Sequence, residues 1–347
     1  MYKKITAFLL SIVIIFIFGE IIVRVFKLGS SFPYQKAKND ILMYEYIPNF
    51  KGRMWGKEFK TNLFGYRDYD YPLNKSASSF RIVVFGDSIT VGTGLLLDEA
   101  YTKILEVMLN DSPPESDYNH FEVMNMGICA YNTIREVKLI EEKGLAFDPD
   151  MIIIQYCLDD IMPSIVETIS EVGYKKTWVR IIKFIKDITF TLRFSRFIQY
   201  IRHNFIYRIY VMMEEKRVEK MGGLANALYS KSGRNWQETR NALSRLAQLT
   251  KKDQINVLLV IFPRFESLND DYPYRKCHQL IKDTCFELGI PVLDLFDAYE
   301  GMNPQLLRLS EKTVDWWHPN KLGHEIAAQE IYTYIGLNKD DILGIKR

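Results

Sequence analysis

Two stretches of this 347-residue chain hold residues whose types and spacing suit covalent chemistry. The first is Val84-Phe-Gly-Asp-Ser-Ile-Thr-Val-Gly92, in which Ser88 closely follows an apolar run. A serine just past a buried parallel strand stands at the carboxyl edge of a sheet, where α/β proteins place their sites. The second is Asp315-Trp-Trp-His-Pro-Asn320. Its spacing lets one loop present His318 as a general base and Asp315 as the carboxylate that fixes the imidazole tautomer. Either stretch alone is a weak signal. Together, in the order Ser…Asp-x-x-His, they describe a hydroxyl that an imidazole can activate for attack on an acyl carbonyl.

Other chemistry finds less support. His120, His203, His278 and His324 have no partner nearby in sequence and read as surface or capping residues. The cysteines, Cys129, Cys157, Cys277 and Cys285, lack metal-ligand spacing and read as buried structural thiols. Asp87, Asp159, Asp160 and Asp315 offer hard oxygen ligands. The serine–histidine arrangement accounts for them without a cation, so neither a metal nor a cofactor is expected. Asp87 is expected to brace the serine loop, with Asp160 in support. Gly86, Gly92 and Gly94 fit neither a Walker loop nor G-x-G-x-x-G.

The elements that must carry these residues are legible from periodicity. Short apolar runs at Ile82–Phe85, Phe121–Met124, Met151–Tyr156, Val257–Phe262 and Pro291–Leu295 suit strands buried on both faces. Amphipathic stretches lie between and after them: Glu99–Leu109, Thr133–Lys143, Trp236–Lys251, Tyr274–Leu288 and Gly323–Ile335. This alternation predicts a doubly wound, three-layer α/β domain over residues 81–337, followed by a tail. Residues 28–80 read as a polar approach segment, ending in the linker Asn74-Lys-Ser-Ala-Ser-Ser79.

Two segments lie outside that alternation. Ile5–Val23 is a nineteen-residue apolar stretch flanked by Lys3, Lys4, Arg24 and Lys27. As a helix it rises about 28 Å, enough to cross a hydrocarbon core. No small-x-small cleavage site follows, so an uncleaved single-pass anchor over residues 1–27 is expected. Lys3 and Lys4 favour a cytoplasmic N-terminus, which leaves the domain extracytoplasmic. The second segment is an insert at about 162–234, in which Trp178, Ile182, Ile185, Ile188 and Leu192 recur at helical spacing. From Tyr174 to Lys220 it carries a net charge of +8, against −6 for the rest of the chain. It reads as a helical insert packed on the domain with a solvated basic face; the alternative is an amphipathic element that rests on anionic headgroups or caps the site. Its apolar stripe argues against nucleic acid as a partner.

With these blocks in place, the chain resembles the SGNH/GDSL hydrolases over about residues 81–337. Gly86-Asp87-Ser88-Ile89 is similar to the family's nucleophile block, Asn125-Met-Gly127 to its second, and Asp315-x-x-His318 to its last. The resemblance implies a flavodoxin-like α/β/α fold and esterase, lipase or acyltransferase chemistry. It implies an oxyanion hole built from Ser88 and Gly127 N–H groups with a third donor from the block after the third strand. That block reads Gln155-Tyr-Cys-Leu-Asp-Asp160, so Asp159 stands where the family has asparagine. An ionised carboxylate cannot donate to an oxyanion and repels its charge. Either a protonated Asp159 or another donor must serve, or activity is poor. Asn62-Leu-Phe-Gly-Tyr-Arg-Asp68 resembles an element of membrane-tethered members, with no role evident in sequence. The expected activity is hydrolysis of an O-acyl ester, acetyl among the options, on an envelope glycan or lipid. Acyl transfer to a sugar hydroxyl, or a weakly active binding or assembly protein, are the alternatives.

Overall fold

The computed structural model describes residues 2–26, 31–161, 192, 195–201, 229, 233–309 and 317–344. Most of the expected insert, including the Trp178–Ile188 stripe, and Asp315 lie outside them. The chain divides into two compact units. One comprises residues 1–33, 52–59 and 163–223; the other comprises 34–51, 60–162 and 224–347.

In the first unit, helix α1 (Tyr2–Val25) is long and apolar enough, by length and composition, to cross a membrane. Its one acidic residue, Glu20, faces protein partners. The carboxylate accepts hydrogen bonds from Ser195 Oγ (2.8 Å) and from the Arg196 and Phe197 N–H groups (3.2 and 3.0 Å). Arg24 pairs with it at 2.6 Å.

The second unit is built on a sheet. Strands β1 (Tyr34–Lys36) and β2 (Tyr44–Tyr46) form an antiparallel pair there, while β3 (Lys51–Met54) and β4 (Lys57–Lys60) pair with each other and belong almost wholly to the first unit. The main sheet begins with β5 (Ser79–Phe85), followed by the short helix α2 (Ser88–Val91) and by α3 (Tyr101–Asp111). Next come β6 (His120–Asn125), α4 (Thr133–Glu142) and β7 (Met151–Cys157). After α5 (Arg196–Ile201), which belongs to the first unit, come α6 (Arg234–Asp253), β8 (Asn256–Phe262), α7 (Arg275–Leu288) and β9 (Val292–Asp294). The chain continues through α8 (Phe296–Tyr299) to α9 (Lys321–Leu337). The sheet order is β6-β5-β7-β8-β9, with every neighbouring pair parallel.

All seven residues of β5 and of β7 are buried, which is why both read as unbroken apolar runs rather than alternating ones. Amphipathic helices cover the sheet: α3 packs against α9 and β6, and α4 packs against α6. Strand order reverses between β5 and β7, the place where open parallel sheets form a crevice beyond their carboxyl ends. Residues 34–51 and 60–78, expected to be an approach segment, belong to the same compact unit as the sheet.

Candidate active site

The turn leaving β5 brings Ser88 to the start of α2. Asp87 is the N-cap: its Oδ1 accepts from Ile89 N–H at 2.8 Å, satisfying one of the orphan donors of the first turn. Gly86 has no room for a side chain. A Cβ there would overlap Thr90 Oγ1 and Gln155 Oε1. Gln155, on β7 and wholly buried, accepts from Asp87 N–H (3.1 Å) and Thr90 Oγ1 (3.0 Å). The serine therefore projects from a turn locked to its neighbouring strand.

His318 reaches this serine from the other end of the chain. Its Nε2 lies 2.8 Å from Ser88 Oγ, within hydrogen-bond reach. Two backbone contacts hold it: Leu309 N–H donates to His318 O at 3.1 Å, and Arg308 bridges Pro319. Directly after, Asn320 caps α9 by accepting from Gly323 N–H. Asp315 lies outside the described residues.

The loop after β6 runs beside the serine turn, with Ile128 N–H donating to Gly86 O at 3.0 Å. Gly127, expected as an oxyanion donor, is buried, and its N–H donates to Asn125 Oδ1 at 3.0 Å. A Cβ at Gly127 would stand 2.9 Å from Thr90 Cβ and from Val91 N, so glycine here lets the loop approach α2. Ala130, three residues on, is exposed and has a left-handed φ of 60°. Among the described residues, the N–H groups of Ser88 and Ala130 donate to no protein acceptor. The left-handed turn at Ala130 is not evident in the sequence, because an alanine does not announce one as glycine does.

Asp159 turns to a partner that the sequence did not suggest. Its Oδ1 accepts from Arg264 Nη1 at 3.0 Å, in a pair largely withdrawn from solvent. Arg264 also binds Glu266, and its guanidinium lies 4.9 Å from the Trp317 ring centre and 5.5 Å from that of Tyr274. Burial would lower the Arg264 pKa, but the charges of Asp159 and Glu266 raise it.

Beneath the serine turn lies a buried acidic group. Cys157 Sγ is 3.4 Å from Asp87 Oδ2 and 3.5 Å from Asp160 Oδ1, and Cys157 N–H donates to Asp160 Oδ2 at 2.8 Å. This fits the bracing roles expected of both aspartates. Burial pushes Asp87 above its ordinary value, partly offset by Ile89 N–H and by His318. Burial raises Asp160 further, with Glu136 and Asp87 adding repulsion. Asp87, Cys157 and Asp160 are the described residues whose ligand atoms cluster closely enough to hold a metal ion. All four cysteines are free and buried.

His278 departs from the expected surface or capping role, whereas His324 caps the first turn of α3 from the interior. His278 is buried, with Nδ1 2.9 Å from Asp294 Oδ1 and Nε2 3.0 Å from Tyr272 OH. His324 is buried, and its Nδ1 accepts from Tyr101 N–H at 3.0 Å. The partner of His324 lies 223 positions earlier in the chain, which local spacing cannot reveal. His203 lies outside the described residues.

A parallel sheet with a serine at a strand end and a histidine within hydrogen-bond reach of it defines the arrangement as α/β. The model of the GDSL-like Lipase/Acylhydrolase family matches residues 84–326, and the chain belongs to that family of ester-hydrolysing enzymes. No curated protein matches the chain. Among solved structures it is similar to a two-domain esterase active on acetylated mannans (16% identity, 77% of this chain, 50% of that one, TM-score 0.43). The chain thus spans about half the length of that protein. Further similar structures are the acetyl xylan esterase AlAXEase (14%, 74% and 100% coverage, TM-score 0.43) and the acetylxylan esterase Axe2 from Geobacillus stearothermophilus (18%, 74% and 94%, TM-score 0.43).

Proposed function

We propose that the protein is a membrane-anchored serine esterase that cleaves O-acyl esters of an envelope glycan or lipid through an acyl-serine intermediate. The observation that carries this reading is the 2.8 Å approach of His318 Nε2 to Ser88 Oγ at the carboxyl edge of the sheet. Ser88 Oγ attacks the acyl carbonyl while His318 Nε2 takes its proton; the same proton then passes to the departing alcohol oxygen. Water, activated by the neutral imidazole, releases the acid and restores the serine. Asp315 orients the imidazole in this scheme. In this scheme the N–H groups of Ser88 and Ala130, which donate to no acceptor among the described residues, serve the oxyanion, and Gly127 sets the loop through Asn125. Asp159, paired to Arg264, supplies no donor. The sheet order supports a flavodoxin-like, three-layer arrangement. The length and composition of helix α1 support a single-pass anchor, and Lys3 and Lys4 before its apolar stretch favour the domain lying outside the cytoplasm.

The experiment is turnover of a small chromogenic acyl ester by the full chain in detergent, with and without a sugar acceptor. Acid production independent of the acceptor is the expected result. Acyl appearing on the sugar instead would make the protein a transferase, and no turnover in either arm would leave a binding protein.

A further inference from the structure

The Asn62–Asp68 turn has no part in the chemistry above, yet its two charged residues reach both sides of the site. Asn62 shapes the turn. Its Oδ1 accepts from the Phe64 and Tyr66 N–H groups (3.0 and 2.9 Å), and its Nδ2 donates to Tyr69 O (2.9 Å). Gly65 follows with φ +85°, where a Cβ would stand 2.6 Å from Tyr46 O. The turn delivers Arg67 and Asp68 to the interior, 3% and 8% exposed.

Arg67 points to the nucleophile helix. Nη1 donates to Val91 O (2.8 Å) and Gly92 O (2.7 Å), and Nη2 donates to Leu95 O (2.6 Å). A helix of four residues leaves its last carbonyls without partners of its own. One guanidinium fork gathers them, a task for which a lysine ammonium lacks the geometry. Asp68 points the other way. Its Oδ2 accepts from Asn125 N–H at 2.6 Å, and Lys103 Nζ holds its Oδ1 at 2.8 Å. Asn125 then passes the connection on, with Nδ2 donating to Thr90 O (2.6 Å) and Oδ1 accepting from Gly127 N–H. The carbonyls of Thr90, Val91 and Gly92 are therefore all held, directly or through one residue, by two adjacent side chains.

Building on the esterase reading, we infer that Arg67 and Asp68 are positioning residues for acyl transfer. They form a two-armed brace that fixes the distance between Ser88 and the loop following β6. Neither side chain touches substrate. Their effect is on the geometry in which the Ser88 hydroxyl and the oxyanion donors face one carbonyl, where a displacement of about 1 Å costs on the order of a hundredfold in rate.

The test uses the full chain in detergent and compares Arg67→Lys, Asp68→Asn and Asp68→Ala with the native protein. Fluorophosphonate titration counts competent serines, so that kcat is expressed per reactive site, and hydrogen exchange is followed in peptides covering 86–96 and 124–131. Arg67→Lys should lower kcat per site by roughly ten- to a hundredfold with KM within about threefold. Its exchange should quicken in 86–96 while the β8 peptide is unchanged. Asp68→Asn keeps an acceptor for Asn125 N–H and should fall less than about fivefold; Asp68→Ala should match Arg67→Lys and loosen 124–131. A purely structural role would reduce the fraction of competent sites and the melting temperature but leave kcat per site intact, and that result overturns the inference. Unchanged exchange in both peptides overturns it as well, whether or not an ester is turned over. A native protein that neither labels nor turns over ester defeats the esterase reading and the rate effect with it, while the exchange data alone then judge the brace.

Discussion

Replacing Asp159 with asparagine asks whether the departure at this position limits the enzyme. The native carboxylate accepts from Arg264 Nη1 at 3.0 Å, and an ion-paired carboxylate has no proton to offer an oxyanion. Asparagine keeps a carbonyl oxygen for Arg264 and adds an amide that can turn towards the substrate. One oxyanion donor is worth roughly 10²–10³ in rate. Part of that is lost because the amide must be oriented by a guanidinium that also serves Glu266. A rise of roughly ten- to a hundredfold in kcat is therefore expected, equivalent to about 1.4–2.7 kcal/mol of barrier. Weakening the Arg264 pair should cost about 1 kcal/mol of stability, since both groups keep some solvent contact. The assay is initial rate against concentration of one soluble acyl ester, with Asp159→Ala as the donor-free control, expected within about fivefold of native. An asparagine variant slower than native at equal folded fraction would refute the reasoning and show that the carboxylate–guanidinium pair itself takes part in the reaction.

Further outcomes follow from the site and its surroundings. Gly86→Ala forces a methyl group into Thr90 Oγ1 and Gln155 Oε1, so it should destabilise the fold by about 2–4 kcal/mol in urea titration and abolish esterase activity. His324 is pushed down to about 3 by burial, with His318 and Arg67 adding to the effect, so the folded state refuses a proton that the unfolded chain accepts below about pH 6.5. Stability should fall by about 2 kcal/mol from this group between pH 7 and pH 5, and His324→Gln, which keeps an acceptor for Tyr101 N–H, should lack that component. Asp68 acts in the opposite sense. Burial, only partly offset by Lys103, raises it to about 6, so its ionised form weighs against the fold above that pH, and Asp68→Asn should flatten the gain seen on acidifying towards pH 4. The intact chain should fractionate with membranes, and protease added to spheroplasts should digest the domain; a protected domain or an N-terminus trimmed beyond residue 20 would contradict the anchor.

The sheet was legible because β5 and β7 are buried along their whole length, so burial wrote itself into unbroken apolar runs. Predicted strand and helix limits differ from those observed by no more than about three residues, as expected where ends fray and caps decide them. Ser88 and His318, which the fold brings within 2.8 Å of each other, were legible as candidates because strand end and loop each carry a local signature. What escaped notice depends on contacts between distant residues. Arg264 pairs with a residue 105 positions away. Arg67 acts on carbonyls 24 to 28 positions downstream, so its motif looked like an unassigned turn. Ala130 carries its signal in a backbone angle that the residue type conceals.

The central claim is that Ser88 is a nucleophile activated by His318. A fluorophosphonate applied to the full chain, followed by peptide mapping, tests it most directly. The account predicts a covalent adduct on the peptide containing Ser88, none in Ser88→Ala, and labelling slowed at least a hundredfold in His318→Ala. Labelling that is absent from the native protein, or that persists in both variants, would contradict it.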